Sequence, residues 1–184
     1  MEADLLTKAK RPDEALDLLN GALKTAPQNE LLLYSRAMAA EKLDHIDVFE
    51  ADMRTLLDRE PDNATALNAL GYTLAERTNR LNEAQSYLNK AMTLRPNDPA
   101  IIDSVGWLKY RQGDAKGALD YLQKAYALMP DDEIAAHLGE VLWVLGRKTE
   151  ARQVWTEALA RVPDSEFIVK VRTRLDPVTS LKKP

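Results

Sequence analysis

The chain has 184 residues, 45% hydrophobic and 29% charged, with 25 Lys+Arg against 29 Asp+Glu for a formal net charge of −4. That composition suits a folded domain rather than a disordered or fibrous chain, and charges of both signs scattered along it leave no broad cationic face for nucleic acid. Cysteine is absent, which excludes disulfides and thiolate chemistry, and no apolar run approaches the ~20 residues of a membrane span.

Five prolines divide the chain, Pro27, Pro61, Pro96, Pro130 and Pro163, at spacings of 34, 35, 34 and 33. The stretch Met1 to Lys10 lacks the apolar centre of a signal peptide and is too short for a full first helix. Residues 1–29 are therefore expected to be a partial repeat within a longer protein. Residues 30–63 form the first whole repeat and the most divergent one, with Phe49 and Leu56 where other repeats carry alanine and no glycine at the turn. Bulky residues at that crossing are expected either to push its two helices apart, altering the curvature locally, or to be ordinary drift in a tolerant repeat. In residues 64–98, Ala64 to Arg77 and Glu83 to Leu94 have apolar residues at three- and four-residue spacing and read as amphipathic helices. Residues 99–131 repeat the pattern in Pro99 to Arg111 and Lys116 to Leu128, with Gly113-Asp114 as the turn between them. Residues 132–165 follow with a Gly146-Arg147 turn. Asp164-Ser165 then offers an N-cap to a capping helix, 166–176, whose Phe167, Ile168 and Val171 should cover the last repeat while Lys170, Arg172 and Arg174 face water. Asp176-Pro177 ends it, and the tail 177–184 is expected to be disordered.

Three more ladders step with the prolines: Ala37, Gly71, Gly106, Gly139; Ala15, Phe49, Ala84, Ala118, Ala151; and Ala22, Leu56, Ala91, Ala125, Ala158. Small residues at a fixed register let helices approach closely, and proline beyond a C-terminus stops the second helix of each pair. A helix pair of this size cannot bury its apolar side alone, so pairs must stack. The expected fold is all-α: one solenoid of antiparallel helix pairs.

The repeat 99–131 carries Val105-Gly106, Gly113, Ala118, Leu122, Ala125 and Pro130, and on these residues the chain resembles the tetratricopeptide-repeat family. The resemblance covers nearly everything from Arg11 to Pro163 and implies a right-handed superhelix that binds other proteins. The stretches Leu67 to Ala75, Asp103 to Trp107 and Ala135 to Trp143 go further. They resemble the C-terminal repeats of proteobacterial tetratricopeptide lipoproteins, including the pseudomonad adaptor of a periplasmic carboxyl-terminal processing protease. That likeness implies periplasmic exposure, tethering to the outer membrane through a missing N-terminal part, and presentation of substrates to a protease. The lipobox cysteine of such lipoproteins is not in this sequence.

In such a solenoid the first helix of each pair lines the inner face, and three rows run along it: Tyr34, Asn68, Asp103, Ala136; Met38, Tyr72, Trp107, Glu140; and Glu41, Ala75, Tyr110, Trp143. Within one repeat these positions are i, i+4 and i+7 and share a helical face. Aromatic residues with a polar edge suit a groove that is wet when empty. The expected polypeptide-binding residues are Tyr34, Met38, Asn68, Tyr72, Asp103, Trp107, Tyr110, His137, Glu140 and Trp143. The alternative is that the tryptophans pack between helices, which is the reading for Trp155, in the core slot of Leu88 and Leu122. The inner faces lack the basic set of a carboxylate clamp. Glu133, His137 and Glu140 share one helix face, yet without a second motif they read as surface carboxylates and a polar contact rather than a metal site.

The sequence therefore points to a protein-binding scaffold with no catalytic residues, cofactor or metal and no membrane insertion by this segment. Its partner would be a polypeptide, the processing protease and its substrates by resemblance. The competing readings are a structural, self-associating scaffold of an envelope complex and the targeting arm of an enzyme outside this segment.

Overall fold

A computed structural model describes residues 11–177, and among them every regular element is an α-helix. The ten helices are α1 (Pro12–Thr25), α2 (Glu30–Lys42), α3 (Ile46–Arg59), α4 (Ala64–Arg77), α5 (Leu81–Leu94), α6 (Pro99–Arg111), α7 (Ala115–Leu128), α8 (Asp132–Val144), α9 (Lys148–Arg161) and α10 (Glu166–Leu175). The expected all-α fold of helix pairs is the one observed. The sequence readings of 1–10 and of the tail 178–184 lie outside the described residues. The chain divides into two compact units after Leu70.

In the first unit α1 packs on α2 and α2 on α3. Ala15 and Leu19 of α1 form an apolar cluster with Ala39 and Leu32 of α2. A half-buried arginine links the three helices: the Arg36 guanidinium of α2 donates to both oxygens of the buried Asp52 carboxylate on α3, at 2.8 and 2.6 Å, and to the exposed Asn20 Oδ1 on α1 at 3.0 Å. The bulk of Phe49 is accommodated. Phe49, Met53 and Leu56 are buried on α3, while α2 buries alanines, Ala37 and Ala40, beside Leu33, so a large side is matched to a small one.

The second unit stacks α6–α7 and α8–α9 as antiparallel pairs, with α10 on α8 and α9. The glycine ladder marks the closest approach inside a pair. A Cβ at Gly71 would lie 2.6 Å from Leu88 Cγ, one at Gly106 would lie 2.9 Å from Leu122 Cγ, and one at Gly139 would overlap the Trp155 indole. Trp155, Leu88 and Leu122 are fully buried, as their shared slot predicts.

Two turn types close the pairs. Gly113 and Gly146 have φ of +90° and +81°, and each is followed by an N–H bonding back five residues, Asp114 to Lys109 O and Arg147 to Leu142 O at 2.9 Å. This is a Schellman cap. The divergent repeat uses the same cap without glycine: Asp44 takes φ +61°, and His45 N–H bonds Ala40 O at 2.9 Å. The turn after α4 is closed instead by Thr78, whose hydroxyl bonds Leu74 O at 2.6 Å and accepts from Arg80 N–H at 3.0 Å.

The capping helix corrects one expectation. Ile168 and Val171 are buried with Leu175 packed beside them, but Phe167 is 45% exposed. At 3.6 residues per turn, Ile168, Val171 and Leu175 share one stripe, which turns Phe167 outward. Arg172 and Arg174 do not simply face water either, because Arg172 is half-buried and Arg174 pairs with Glu140.

Candidate functional site

The inner rows of the second unit converge on a buried chain of polar groups carried by α4, α6 and α8. Each helix contributes residues four apart, so both lie on one face: Tyr72 and Glu76, Asp103 and Trp107, Glu133 and His137. His137 is the centre. Its Nδ1 lies 2.9 Å from Asp103 Oδ2 and its Nε2 lies 3.3 Å from the Tyr72 hydroxyl, which donates to Glu133 Oε1 at 2.8 Å. The Trp107 ring stacks on the imidazole at 4.1 Å between centroids and 20° between planes, and its Nε1–H donates to Glu76 Oε2 at 2.9 Å. Arg111 anchors Glu76 from the other side, donating to its carbonyl at 2.7 Å.

These partners set the protonation behaviour. Burial pulls His137 down, but the charge and hydrogen bond of Asp103, helped by Glu133 and Glu76, outweigh it, so the imidazole holds its proton above the ordinary histidine range. The imidazolium donates from both nitrogens, and its position over the Trp107 face adds a cation–π contact. Burial pushes Glu133 up, aided by the charges of Asp103 and Asp131 and opposed by His137 and Tyr72. Burial, with the Glu133 charge and hydrogen bond, raises Tyr72 far above the usual phenol range.

A second cluster joins α6, α8 and α10. Tyr110 donates to Glu140 Oε1 at 3.0 Å, and Arg174 holds the other oxygen of the same buried carboxylate. Burial and the Glu140 charge push the Tyr110 phenol up to about 12. Trp143 stacks on Trp155 at 5.7 Å, with Lys148 and Arg152 4.9 and 5.1 Å from its ring centre. Arg152 also pairs with the buried Asp176 at 2.7 Å, fastening α10 to α9.

Of the residues expected to line an open groove, Asp103, Trp107, His137 and Glu140 are buried, and Tyr72, Tyr110 and Trp143 are half-buried. Stacked first helices bring i and i+4 side chains of neighbouring repeats into one another, and that fills the middle of the rows. Tyr34, Met38 and Asn68 are half-buried in the first unit. Burial raises the Tyr34 phenol, and the buried Asn68 Oδ1 has no hydrogen-bond partner among the described residues. Glu76, Arg111 and Arg174 were absent from the expected set; the signal for Glu76 was its place four residues after Tyr72. Glu133, His137 and Glu140 share a helix face but turn to different partners, and among the described residues no group of three or more such ligands could hold a metal ion.

The repeating unit is now defined by its residues: a small residue facing a buried Leu or Trp, a proline stop, and a first-helix face linked to its neighbours. Residues 64–98 and 109–174 match two family models, each described as tetratricopeptide repeat. These are tetratricopeptide repeats. The chain is 49% identical over 140 residues to the TPR repeat-containing protein PA4667 of Pseudomonas aeruginosa, covering 76% of this chain and 24% of that protein. It is 25% identical over 171 residues to the human protein O-mannosyl-transferase TMTC1, covering 90% of this chain and 19% of that one. The chain thus spans about a quarter or less of the length of these curated relatives. Among solved structures, the thermophilic TPR protein TTC0263 of Thermus thermophilus superposes with a TM-score of 0.81 at 26% identity, covering 97% of this chain and 95% of that one. PilW, a type IV pilus biogenesis factor, superposes at 0.74 with 24% identity over 97% and 84% of the two chains, a likeness of fold. Tetratricopeptide repeats form a non-catalytic interaction fold, so the repeats indicate binding of other proteins or peptides. No helix among the described residues is long and apolar enough to cross a membrane.

Proposed function

We propose that this tetratricopeptide array is an adaptor that holds a polypeptide segment across the first helices α4, α6 and α8. The observation that supports the reading most is the pairing of half-buried Tyr72, Tyr110 and Trp143 with partners that fix them: Glu133 and the buried His137, Glu140 and Trp155. Aromatic anchors held in one orientation lose little freedom when a partner binds. Tyr34, Met38 and Asn68 of the first unit extend the same rows in sequence register. Asp103, Trp107, His137 and Glu140 act beneath the surface, orienting the anchors rather than touching the guest.

The finer reading is that the guest is a substrate presented to a periplasmic carboxyl-terminal processing protease, with the array tethered at the outer membrane through a part of the protein outside this segment. The first-helix wording Leu67 to Ala75, Asp103 to Trp107 and Ala135 to Trp143, which resembles that of the protease-adaptor lipoproteins, supports it. Trp107 is a poor probe, because truncating a buried tryptophan costs about 3–5 kcal/mol and confuses folding with binding. The suitable test is capture from a periplasmic extract with the wild-type chain and a Tyr110→Phe/Trp143→Ala variant of matched circular dichroism. Recovery of the protease or its substrates by wild type and loss of both by the variant is expected; equal recovery by the two chains would sink the inner-face reading.

A further inference from the structure

Four carboxylates lie on the first-helix faces of α4, α6 and α8: Glu76, Asp103, Glu133 and Glu140. Three of them have a cation of their own. Arg111 stands 3.5 Å from Glu76, His137 stands 2.9 Å from Asp103, and Arg174 pairs with Glu140. Glu133 has no ion pair among the described residues. Its side chain accepts a hydrogen bond at Oε1 from the neutral Tyr72 hydroxyl, and Oε2 accepts none among these residues. The same hydroxyl lies between Glu133 and His137, so the imidazolium bonds Asp103 rather than Glu133.

The surroundings sharpen that isolation. Glu133 sits in the first turn of α8, whose positive end favours an acid, but Asp131 and Asp132 share that end. Burial, with the charges of Asp103 and Asp131, lifts the Glu133 carboxyl above its ordinary range, as expected of a charge withdrawn from water without a partner. Glu133 and Tyr72 both keep a part that faces solvent, whereas Asp103, Trp107 and His137 behind them are buried. A cation arriving at the inner face can therefore reach Glu133.

We propose, resting on the inner-face binding inferred above, that Glu133 selects the guest: it receives a lysine or arginine side chain of the bound polypeptide, whose cationic head supplies the counter-charge at Oε2 while its aliphatic stem lies along Tyr72. A long basic side chain suits the place, because it can lay its stem on an aromatic surface and extend its charge to a carboxylate. A neutral residue there would desolvate Glu133 further and leave it unpaired. An acidic one would add to the repulsion that Asp103 and Asp131 already exert. Glu133 thus both attracts basic segments and rejects acidic ones.

Three nine-residue peptides test this, alike except for lysine, methionine or glutamate at the centre of an alternating leucine–serine sequence. Neighbouring packed helices stand roughly 8–10 Å apart, so three first helices span about 20 Å, which nine extended residues at about 3.3 Å each more than cover. Fluorescein on the N-terminal amine and an amidated C-terminus make the central side chain the one charge that varies. Binding to the whole chain is followed by anisotropy at pH 7. The lysine peptide is expected to bind about tenfold more tightly than the methionine peptide, with the glutamate peptide weakest. In Glu133→Gln, whose amide oxygen still accepts from Tyr72, the three should bind within about twofold of one another with circular dichroism unchanged. Tyr110→Phe/Trp143→Ala removes anchors on the same face and should weaken the lysine and methionine peptides by a similar factor, leaving their ratio near the wild-type value. Equal binding of those two peptides to wild type, or a lysine preference that survives in Glu133→Gln, would overturn the role of Glu133 and leave the inner face standing. No binding of any peptide, or binding that Tyr110→Phe/Trp143→Ala leaves untouched, would overturn the inner-face reading and this role with it.

Discussion

Gly21, Gly139 and Gly146 respond to alanine for three separate physical reasons. Gly21 lies inside α1 with nothing within 4 Å of an added Cβ, so Gly21→Ala lowers the backbone entropy lost on folding and should raise stability by roughly 0.5–1 kcal/mol. Gly146 has equally open surroundings, but its φ of +81° penalises any L side chain, and Gly146→Ala should cost about 1 kcal/mol. Gly139 is sterically closed. Its Cβ would displace the fully buried Trp155 ring, and overpacking of that kind costs about 1–3 kcal/mol. Urea midpoints of the three variants check the ordering, and a Gly139→Ala as stable as wild type would mean the glycine ladder is not a packing contact. Asp44 shows the limit of reading such positions from sequence. It occupies the same left-handed cap as Gly113 and Gly146, yet an aspartate in a polar turn gives no sign of its φ.

First and second helices begin differently. Every first helix from α2 onward has a capping side chain: Asn29 accepts from Leu32 N–H, Asn63 from Ala66, Asp98 from Ala100, Asp131 from Glu133 and Ser165 from Ile168. Each cap lies one or two residues beyond a ladder proline, so the proline stops one helix and the cap starts the next. Among second helices, α7 alone is capped this way, by Asp114; α5 and α9 begin instead with an arginine bridged to a glutamate three residues on, Arg80 to Glu83 and Arg147 to Glu150. Those bridges are exposed and weak, whereas a cap satisfies an otherwise orphaned N–H. Asp98→Ala should therefore cost about 1 kcal/mol in chemical denaturation while Asp98→Asn stays near wild type. Equal losses in the two variants would assign the effect to charge rather than to the hydrogen bond.

Across the molecule, each unit keeps a charged network around a buried carboxylate that ties its helices together: Arg36 with Asp52 and Asn20 in one, and the chain from Asp103 through His137 and Tyr72 to Glu133 in the other. The helix pairs were legible because small residues and prolines must recur wherever identical crossings recur, so the ladders survive even where Phe49 interrupts one. The rows of the candidate site were legible as faces. Their burial was not, because the period of a helix tells which side chains share a side and nothing of how far a neighbouring helix fills the space above them. Trp107 and His137 thus share the expected face but lie beneath it, and only coordinates reveal the charge coupling that follows. That coupling gives the molecule a pH dependence of definite sign. Folded His137 holds its proton more tightly than a free imidazole, since the pull of Asp103, Glu133 and Glu76 exceeds the opposing effect of burial. Its contribution is complete below the unfolded value of about 6.5 and is lost as pH rises through the higher folded value. Glu133, also raised, acts in the same direction from the carboxylate range upward, because the unfolded chain gives up that proton more readily. The thermal midpoint, followed by circular dichroism from pH 5.5 to 9, should fall through this window, and His137→Gln should flatten the part above about pH 6.5 while lowering the midpoint most on the acid side. A wild-type midpoint that is level or rising over that interval would show that His137 is not held by its carboxylates, and the orientation of Tyr72 at the inner face would need another cause.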